Sequence, residues 1–301
     1  MSQLGAGSAR HTTLPLRRSR PAPSSPTLFW LGQAGFLIES TSMRILIDPY
    51  LSDSLAAKYR GTTRPHIRMM EPPAAPGALR DIDLVLATHG HGDHLDPGSL
   101  GPIAEANPEC LFVVPASCAD LAVSRGVPPE RLRGAQAFAP LNSGTVSIHP
   151  IPSAHEELAL DDHGRLLCLG YVIELDGVTI FHPGDCVPYP GLEDNLAPFP
   201  IDLALLPVNG RDAERAAGGI LGNFTLEEAI ALTEHMGFGS ALGHHYGMFD
   251  FNTIDETRAR AILAKRTAAP PFALVELGMG FEVMSGIGRR QALDTGARIA
   301  P

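Results

Sequence analysis

The stretch Ala87-Thr88-His89-Gly90-His91-Gly92-Asp93-His94-Leu95-Asp96 places three imidazoles and one carboxylate within six residues, directly after a short apolar run. The apolar run is typical of a buried strand that ends where the histidines begin. Residues two apart on an extended chain point to the same side, so His89 and His91 can bind one ion together. Asp93 and His94 are adjacent and face a second ion as the chain turns. The stretch therefore predicts the start of two metal sites.

The residue types limit which metal can bind. Neutral imidazole and carboxylate suit zinc, manganese or iron, and the absence of a nearby thiolate argues against a structural, cysteine-rich zinc site. Gly90 and Gly92 allow backbone angles that let the ligands converge. The alternative is that these histidines are solvated loop residues, but the clustered spacing favours metal binding.

Three more candidate ligands follow later strands. His155 comes after the strand predicted at 145–151, Asp185 follows a strand that ends at Pro183-Gly184, and His245 follows a short apolar strand. A carboxylate can bridge two cations with its two oxygens. We therefore predict that Asp185 is shared, that His155 completes the first site and that His245 completes the second.

Composition restricts the class of protein. The chain has 301 residues, is 44% hydrophobic and carries a formal net charge of -10, which is typical of a globular protein and disfavours nucleic acid as a partner. The cysteines are far apart, with no C-x-x-C pair, which fits a reducing cytoplasm. No segment is long enough to span a membrane. The partner expected is a small molecule, and the composition leaves room for a homo-oligomer.

The chain ends differ in composition from the centre. Residues 1–26 contain arginine, serine and proline without an apolar core, which predicts a disordered leader, with a mitochondrial presequence as the alternative. Residues 27–284 form the predicted catalytic domain, and 285–301 a flexible tail. Within the domain, three apolar strands over residues 27–48 are predicted to form a meander, and Asp176-Gly177 is predicted to form a tight hairpin turn. Sheet segments come first and are then interleaved with helices, which suggests a layered α/β sandwich. Two of these helices are predicted to open with a capping box, at Thr225 and at Thr253.

Four motifs occur in a recognisable order: T-H-G-H-G-D-H, S-A-H, H-P-G-D and H-H-Y-G. In these motifs the chain resembles the metallo-β-lactamase superfamily over about residues 27–283. Within it, the stretches 30–35, 47–49 and 206–212 look most like the L-ascorbate-6-phosphate lactonase-like branch. The resemblance implies a four-layer αββα sandwich, two divalent metal ions at one edge and metal-dependent hydrolysis.

Other residues are predicted to support this site. His244 precedes His245, so either could be the ligand, and register with the family's H-Y motif favours His245. Asp48, His182 and Tyr246 are predicted either to orient the ligands or to pack structurally.

The predicted mechanism is hydrolysis by water activated between two cations, with Asp93 as the proton acceptor. Asn209 and Arg211 follow a strand at the same edge and are predicted to bind a phosphate or carboxylate, although Arg211 could instead pair with Asp212. The preferred substrate is a small anionic ester or lactone, such as a sugar phosphate lactone.

Three other functions are considered. One is a phosphodiesterase acting on a nucleotide or phospholipid headgroup, and another is a non-catalytic module that binds metal or a partner. A β-lactamase is disfavoured because no export signal is visible.

Overall fold

The computed structural model describes residues 3–4, 7–267 and 269–285 and contains two mixed β-sheets. Strands are numbered in chain order. The first sheet contains β1 (Gln3–Leu4), β2 (Gly7–His11), β3 (Thr27–Gly32), β4 (Gly35–Glu39), β5 (Arg44–Ile47), β6 (Leu84–Leu86), β7 (Leu111–Pro115), β8 (Leu132–Ala135) and β16 (Met279–Val283). Its spatial order is β1-β2-β16-β3-β4-β5-β6-β7-β8. Strands β3 to β5 form the antiparallel meander predicted from the sequence, and β5 to β8 are parallel.

The second sheet contains β9 (Leu141–Ser143), β10 (Val146–Pro152), β11 (Leu169–Leu175), β12 (Val178–His182), β13 (Leu203–Pro207), β14 (Ala241–His244) and β15 (Phe272–Leu274). Its spatial order is β15-β14-β13-β12-β11-β10-β9. The tight turn at Asp176-Gly177 joins β11 to β12, and both turn residues have positive φ (45° and 78°), as the sequence predicts for a two-residue hairpin. Strands β12 to β15 are parallel.

Seven α-helices among the described residues connect these strands: α1 (Ser54–Lys58), α2 (Pro97–Ala106), α3 (Ala119–Ser124), α4 (Leu192–Leu196), α5 (Ala213–Ala217), α6 (Leu226–Met236) and α7 (Glu256–Ala264). Short 3₁₀ turns lie at Pro76–Ala78, Ala116–Cys118 and Pro129–Arg131. Helix α3 contacts β7 and β8, while α6 and α7 contact strands of the second sheet. Helices therefore cover both sheets, and the predicted four-layer sandwich is confirmed. No helix in the described part of the chain has the length and apolarity to cross a membrane.

The side chains of β3 alternate between two hydrophobic cores. Leu28 and Trp30 lie in the core that also contains residues of the second sheet, while Phe29 and Leu31 lie in the core with residues of α2. Successive side chains of a strand point to opposite faces, so an unbroken apolar run is buried on both sides.

The structure confirms one of the two predicted capping boxes and not the other. Thr225 and Glu228 form a complete capping box at the start of α6. Thr253 does not cap α7, because its Oγ1 accepts a hydrogen bond from the N–H of Gly247. Instead Asp255 caps α7 by accepting from the N–H of Arg258, so the helix begins at Glu256.

The prediction of a disordered leader is wrong for the part of it that the structure describes. Strand β2 pairs with β16. Farther along, Arg44 is completely buried, and its guanidinium donates to the carbonyl oxygens of Pro15 and Leu16. Ser19 donates through its N–H and its hydroxyl to the Glu39 carboxylate. A buried guanidinium needs acceptors, and this segment supplies them. The predicted tail lies, from residue 286 onward, outside the described residues.

Candidate metal centre

The candidate site lies at one edge of the sandwich, where strands from both sheets end. His89 to His94 follow β6, His155 follows β10, Asp185 follows β12 and His245 follows β14. In the second sheet β10, β12 and β14 run in the same direction, and in the first sheet β6 is parallel to β5. The carboxyl ends of these strands therefore meet at the same edge.

The structure divides the seven predicted ligands into two sets. One contains His89, His91, His155 and Asp185, and the other contains Asp93, His94 and His245, with the possible ligand atoms of each set within 4.8 Å of one another. The predicted partition is therefore what the structure shows, while the binding of ions stays a prediction.

Asp185 lies between the two sets. Its Oδ2 is 3.3 Å from Nε2 of His155, and its Oδ1 is 3.3 Å from Nε2 of His94 and 3.0 Å from Nε2 of His245. One oxygen thus faces each set, which is the arrangement required of a carboxylate shared by two cations.

Several buried nitrogen atoms support metal binding independently of spacing. Nε2 of His89 and Nε2 of His94 are buried and lack a hydrogen-bond partner. Unpaired buried polar atoms cost free energy and are uncommon unless an ion or a water completes them. Imidazole nitrogen and carboxylate oxygen are also the donors that zinc, manganese and iron accept. The residues present therefore fit divalent metal ions.

The charge states of His89, His155 and Asp185 favour ligation, whereas for His94 burial is outweighed by Asp185, Asp48 and Asp93, which hold its pKa well above the usual value. Burial lowers the pKa of His155 to about 4, and burial with the neighbouring His94 lowers that of His89 well below its usual value. For Asp185, burial opposes ionisation, but the adjacent histidines outweigh it and hold the pKa well below its usual value. Neutral imidazoles and an ionised carboxylate are the forms that bind metal.

Asp48 orients His94. Its Oδ2 is 2.7 Å from Nδ1 of His94 and also accepts a hydrogen bond from the Thr88 hydroxyl, while its Oδ1 accepts one from the Thr88 N–H. In the neutral ring, a carboxylate at Nδ1 places the proton there and leaves the Nε2 lone pair for a metal ion. Thr88 is a supporting residue that the sequence analysis missed, although its place inside the histidine motif could have indicated it.

The remaining predicted supporting residues pack around the site. Nε2 of His182 donates to the carbonyl oxygen of Ala34, and its Nδ1 accepts the N–H of Gly184, next to Asp185. His244 stacks on His182 and lies outside both ligand sets, so the choice of His245 agrees with the structure. The Tyr246 hydroxyl donates to the carbonyl oxygen of Val275, away from the ligands.

A cavity of about 550 Å³ opens onto the candidate ligands. Three cationic side chains line it, and none of them has a carboxylate ion-pair partner within the part of the chain that the structure describes: Lys58, Arg64 and Arg125. Aromatic and aliphatic side chains form another part of the lining: Leu55, Tyr59, Ile220, Leu221, Phe249 and Phe251. The cavity therefore combines positive charge, apolar surface and the ligand sets.

The predicted substrate residues do not line this cavity. Arg211 makes a bidentate ion pair with Glu228 at 2.6 Å for both hydrogen bonds, so neither the predicted anion site nor the alternative pair with Asp212 is correct. Asn209 is buried, and its side chain is hydrogen-bonded to Asn252 and Asn223. Asn209 and Arg211 were assigned to the substrate because they follow a strand. That position does not reveal a hydrogen-bond partner that is distant in sequence.

Comparison with known proteins agrees with this architecture. A UPF0173 metal-dependent hydrolase of Pyrococcus furiosus is 33% identical over 186 residues, or 60% of this chain and 71% of that protein. N-acyl-phosphatidylethanolamine-hydrolyzing phospholipase D 1 of Caenorhabditis elegans is 24% identical over 241 residues, or 75% of this chain and 65% of that protein. The crystal structure of a possible metal-dependent hydrolase from Veillonella parvula aligns with a TM-score of 0.69 at 17% identity, over 86% of this chain and 100% of that one.

The fold, the site and these relatives together define a metal-dependent hydrolase. A family model described as a Beta-lactamase superfamily domain matches residues 43–246. The chain therefore belongs to the β-lactamase superfamily, and the resemblance seen in the sequence motifs is confirmed at that level.

Proposed function

We propose that this hydrolase binds two divalent ions, zinc or manganese with iron as a third candidate, and cleaves an anionic ester or phosphodiester with an apolar substituent. The observation that carries the proposal is the position of Asp185, whose oxygens face separate ligand sets on the lining of the cavity. When bound, a pair of such ions activates a water molecule as the nucleophile and polarises the bond that it attacks.

The protein side chains supply the remaining chemistry. Asp93 lines the cavity, and its neighbours His94 and His245 outweigh burial and lower its pKa, so the carboxylate is ionised and can accept the proton of the attacking water. Its Oδ2 is fixed by a hydrogen bond of 2.8 Å from the Gln33 amide. The fixed carboxylate is ready to receive the proton without reorganising.

The rim of the cavity supports an anionic substrate. Arg64 donates one hydrogen bond to the carbonyl oxygen of Gly218 and otherwise has donors available to an anion. Lys58 is exposed at the end of α1 and lines the same cavity. A lactone phosphate of the kind suggested by the lactonase-like resemblance carries negative charge that can pair with Arg64 and Lys58.

A phosphodiester with an acyl group is the second candidate, favoured by the apolar part of the lining. Phe249 and Phe251 are stacked 5.6 Å apart, and an acyl chain offers them more apolar surface than a sugar phosphate does. The Caenorhabditis elegans relative is named for hydrolysis of a phospholipid.

The test combines metal analysis with a substrate panel on the same purified protein. We expect two equivalents of metal and hydrolysis of anionic esters or phosphodiesters in preference to neutral esters. Asp185→Ala should lose paired metal uptake and activity together, because both ligand sets lose an oxygen. Full metal content and turnover in this variant would falsify the assignment, and metal uptake with no activity across the panel would favour a binding module.

A further inference from the structure

Gln33 is a buried polar residue at the metal centre to which the sequence assigns no role. Its side chain is fully buried, and Nε2 lies 2.8 Å from Oδ2 of Asp93 and 3.2 Å from Nε2 of His245. The amide oxygen Oε1 is buried without a hydrogen-bond partner. Both neighbours of Nε2 belong to the same ligand set.

The chemistry of the neighbours determines the orientation of this amide. Asp93 as a carboxylate only accepts hydrogen bonds, so the atom that faces it at 2.8 Å must be the nitrogen. Nε2 of His245 lies 3.2 Å from the amide nitrogen and 3.0 Å from Oδ1 of Asp185, so the hydrogen bond to Asp93 is the one whose direction the chemistry fixes. Gln33 therefore donates to one ligand of this set and contacts a second.

The backbone at Gln33 is held in an uncommon conformation. Its φ is +52°, in the left-handed region that side chains other than glycine rarely adopt. The Gln33 carbonyl oxygen accepts hydrogen bonds of 2.9 Å from Nε1 of Trp30 and from the N–H of His245. Trp30 in turn stacks on Tyr246, with ring centroids 5.3 Å apart. Strained backbone that the surroundings maintain is a frequent feature of functional sites.

We propose that Gln33 is a positioning residue for the ligand set of Asp93, His94 and His245, and that it acts by donating from its carboxamide to Asp93. Once His245 gives its Nε2 lone pair to a cation, the bond from Gln33 to Asp93 remains and keeps the carboxylate in the same orientation. Among the described residues, no hydrogen bond joins the Gln33 amide to His89, His91 or His155. The inference rests on the proposed two-ion function, and it predicts an effect on one of the two sites.

The test is a Zn²⁺ titration of metal-free protein against a chromophoric chelator, which yields a dissociation constant for each ion. Gln33→Met keeps the length of the side chain and removes its donor. Reference variants His155→Ala and His245→Ala assign each constant to a ligand set. Thr233→Val is the matched control, because it removes one buried hydrogen bond, to the Ala229 carbonyl oxygen within α6, a helix that carries none of the candidate ligands.

We expect Gln33→Met to raise the dissociation constant assigned to the His245 set by about 10-fold or more, and to change the other by less than about twofold. Thr233→Val should leave both constants unchanged. Two ions in the wild type with unaltered constants in Gln33→Met, or equal weakening at both sites, would overturn the role of Gln33 and leave the proposed function standing. A wild-type protein that takes up one ion would overturn the two-ion function, and the inference with it.

Discussion

Replacing Asp48 with asparagine tests how the protein selects the metal-binding form of His94. Asp48 accepts three hydrogen bonds, from His94 Nδ1 at 2.7 Å, from the Thr88 hydroxyl at 2.7 Å and from the Thr88 N–H at 2.8 Å. In the asparagine variant the remaining oxygen can still accept the Thr88 N–H, and the hydroxyl can rotate to become an acceptor. The contact to His94 adapts only by a change of tautomer, because an N–H would otherwise face the Nδ1 proton.

Two consequences follow from that single mismatch. A hydrogen bond to a charged group contributes about 1.5–3 kcal/mol, so we expect the variant without metal to lose about 2 kcal/mol of unfolding free energy. The lost bond also lets the ring proton move to Nε2, the atom that faces Asp185 at 3.3 Å. A protonated Nε2 cannot bind metal, so we expect metal affinity at neutral pH to fall by about 10- to 100-fold.

The assay is denaturant unfolding of metal-free protein together with a chelator competition titration. Asp176→Asn is a matched control, since that carboxylate accepts hydrogen bonds from Thr41 and Ser42 in a turn region away from the site. The control should lose stability and keep its metal affinity. Wild-type metal affinity in Asp48→Asn would refute the conclusion that Asp48 sets the tautomer of His94.

Three further predictions concern other parts of the chain. Arg64→Ala should raise KM for anionic substrates by about 10-fold, the effect of one lost charged hydrogen bond, and leave neutral esters unaffected, while Arg211→Ala changes neither KM. Hydrogen bonds from Arg211 and Thr225 outweigh burial and hold the pKa of Glu228 below its usual value, so its contribution to stability is present above the unfolded-state pKa and is lost as pH falls through the folded-state pKa. Glu228→Gln should therefore lower the unfolding free energy by about 1 kcal/mol at pH 7 and by less at pH 3 in urea titrations. Deleting residues 2–19 should lower it by about 2 kcal/mol or more, because β2 and the acceptors of Arg44 are lost, and an unchanged urea midpoint would contradict this.

Much of the fold follows from local sequence pattern. Apolar runs, the turn at Asp176-Gly177 and the capping box at Thr225 each depend on residues a few positions apart, and the structure confirms them. The start of α7 was misplaced because Thr253 and Asp255 are both good caps, and a tertiary contact from Gly247 occupies the first. Strand β2 was missed because its short polar sequence becomes a strand only beside β16, far along the chain.

The sequence by itself determined the chemistry of the site, because the spacing of the histidine motif and the positions of His155, Asp185 and His245 after strands are local properties. Only the tertiary structure decided which groups meet across the fold: Gln33 with Asp93, Arg211 with Glu228, and Arg64 with the ligands on the lining of one cavity. The physical reason is that a polar side chain binds the complementary group that folding brings within about 3 Å. The spacing of residues along the chain does not reveal which groups will be that close.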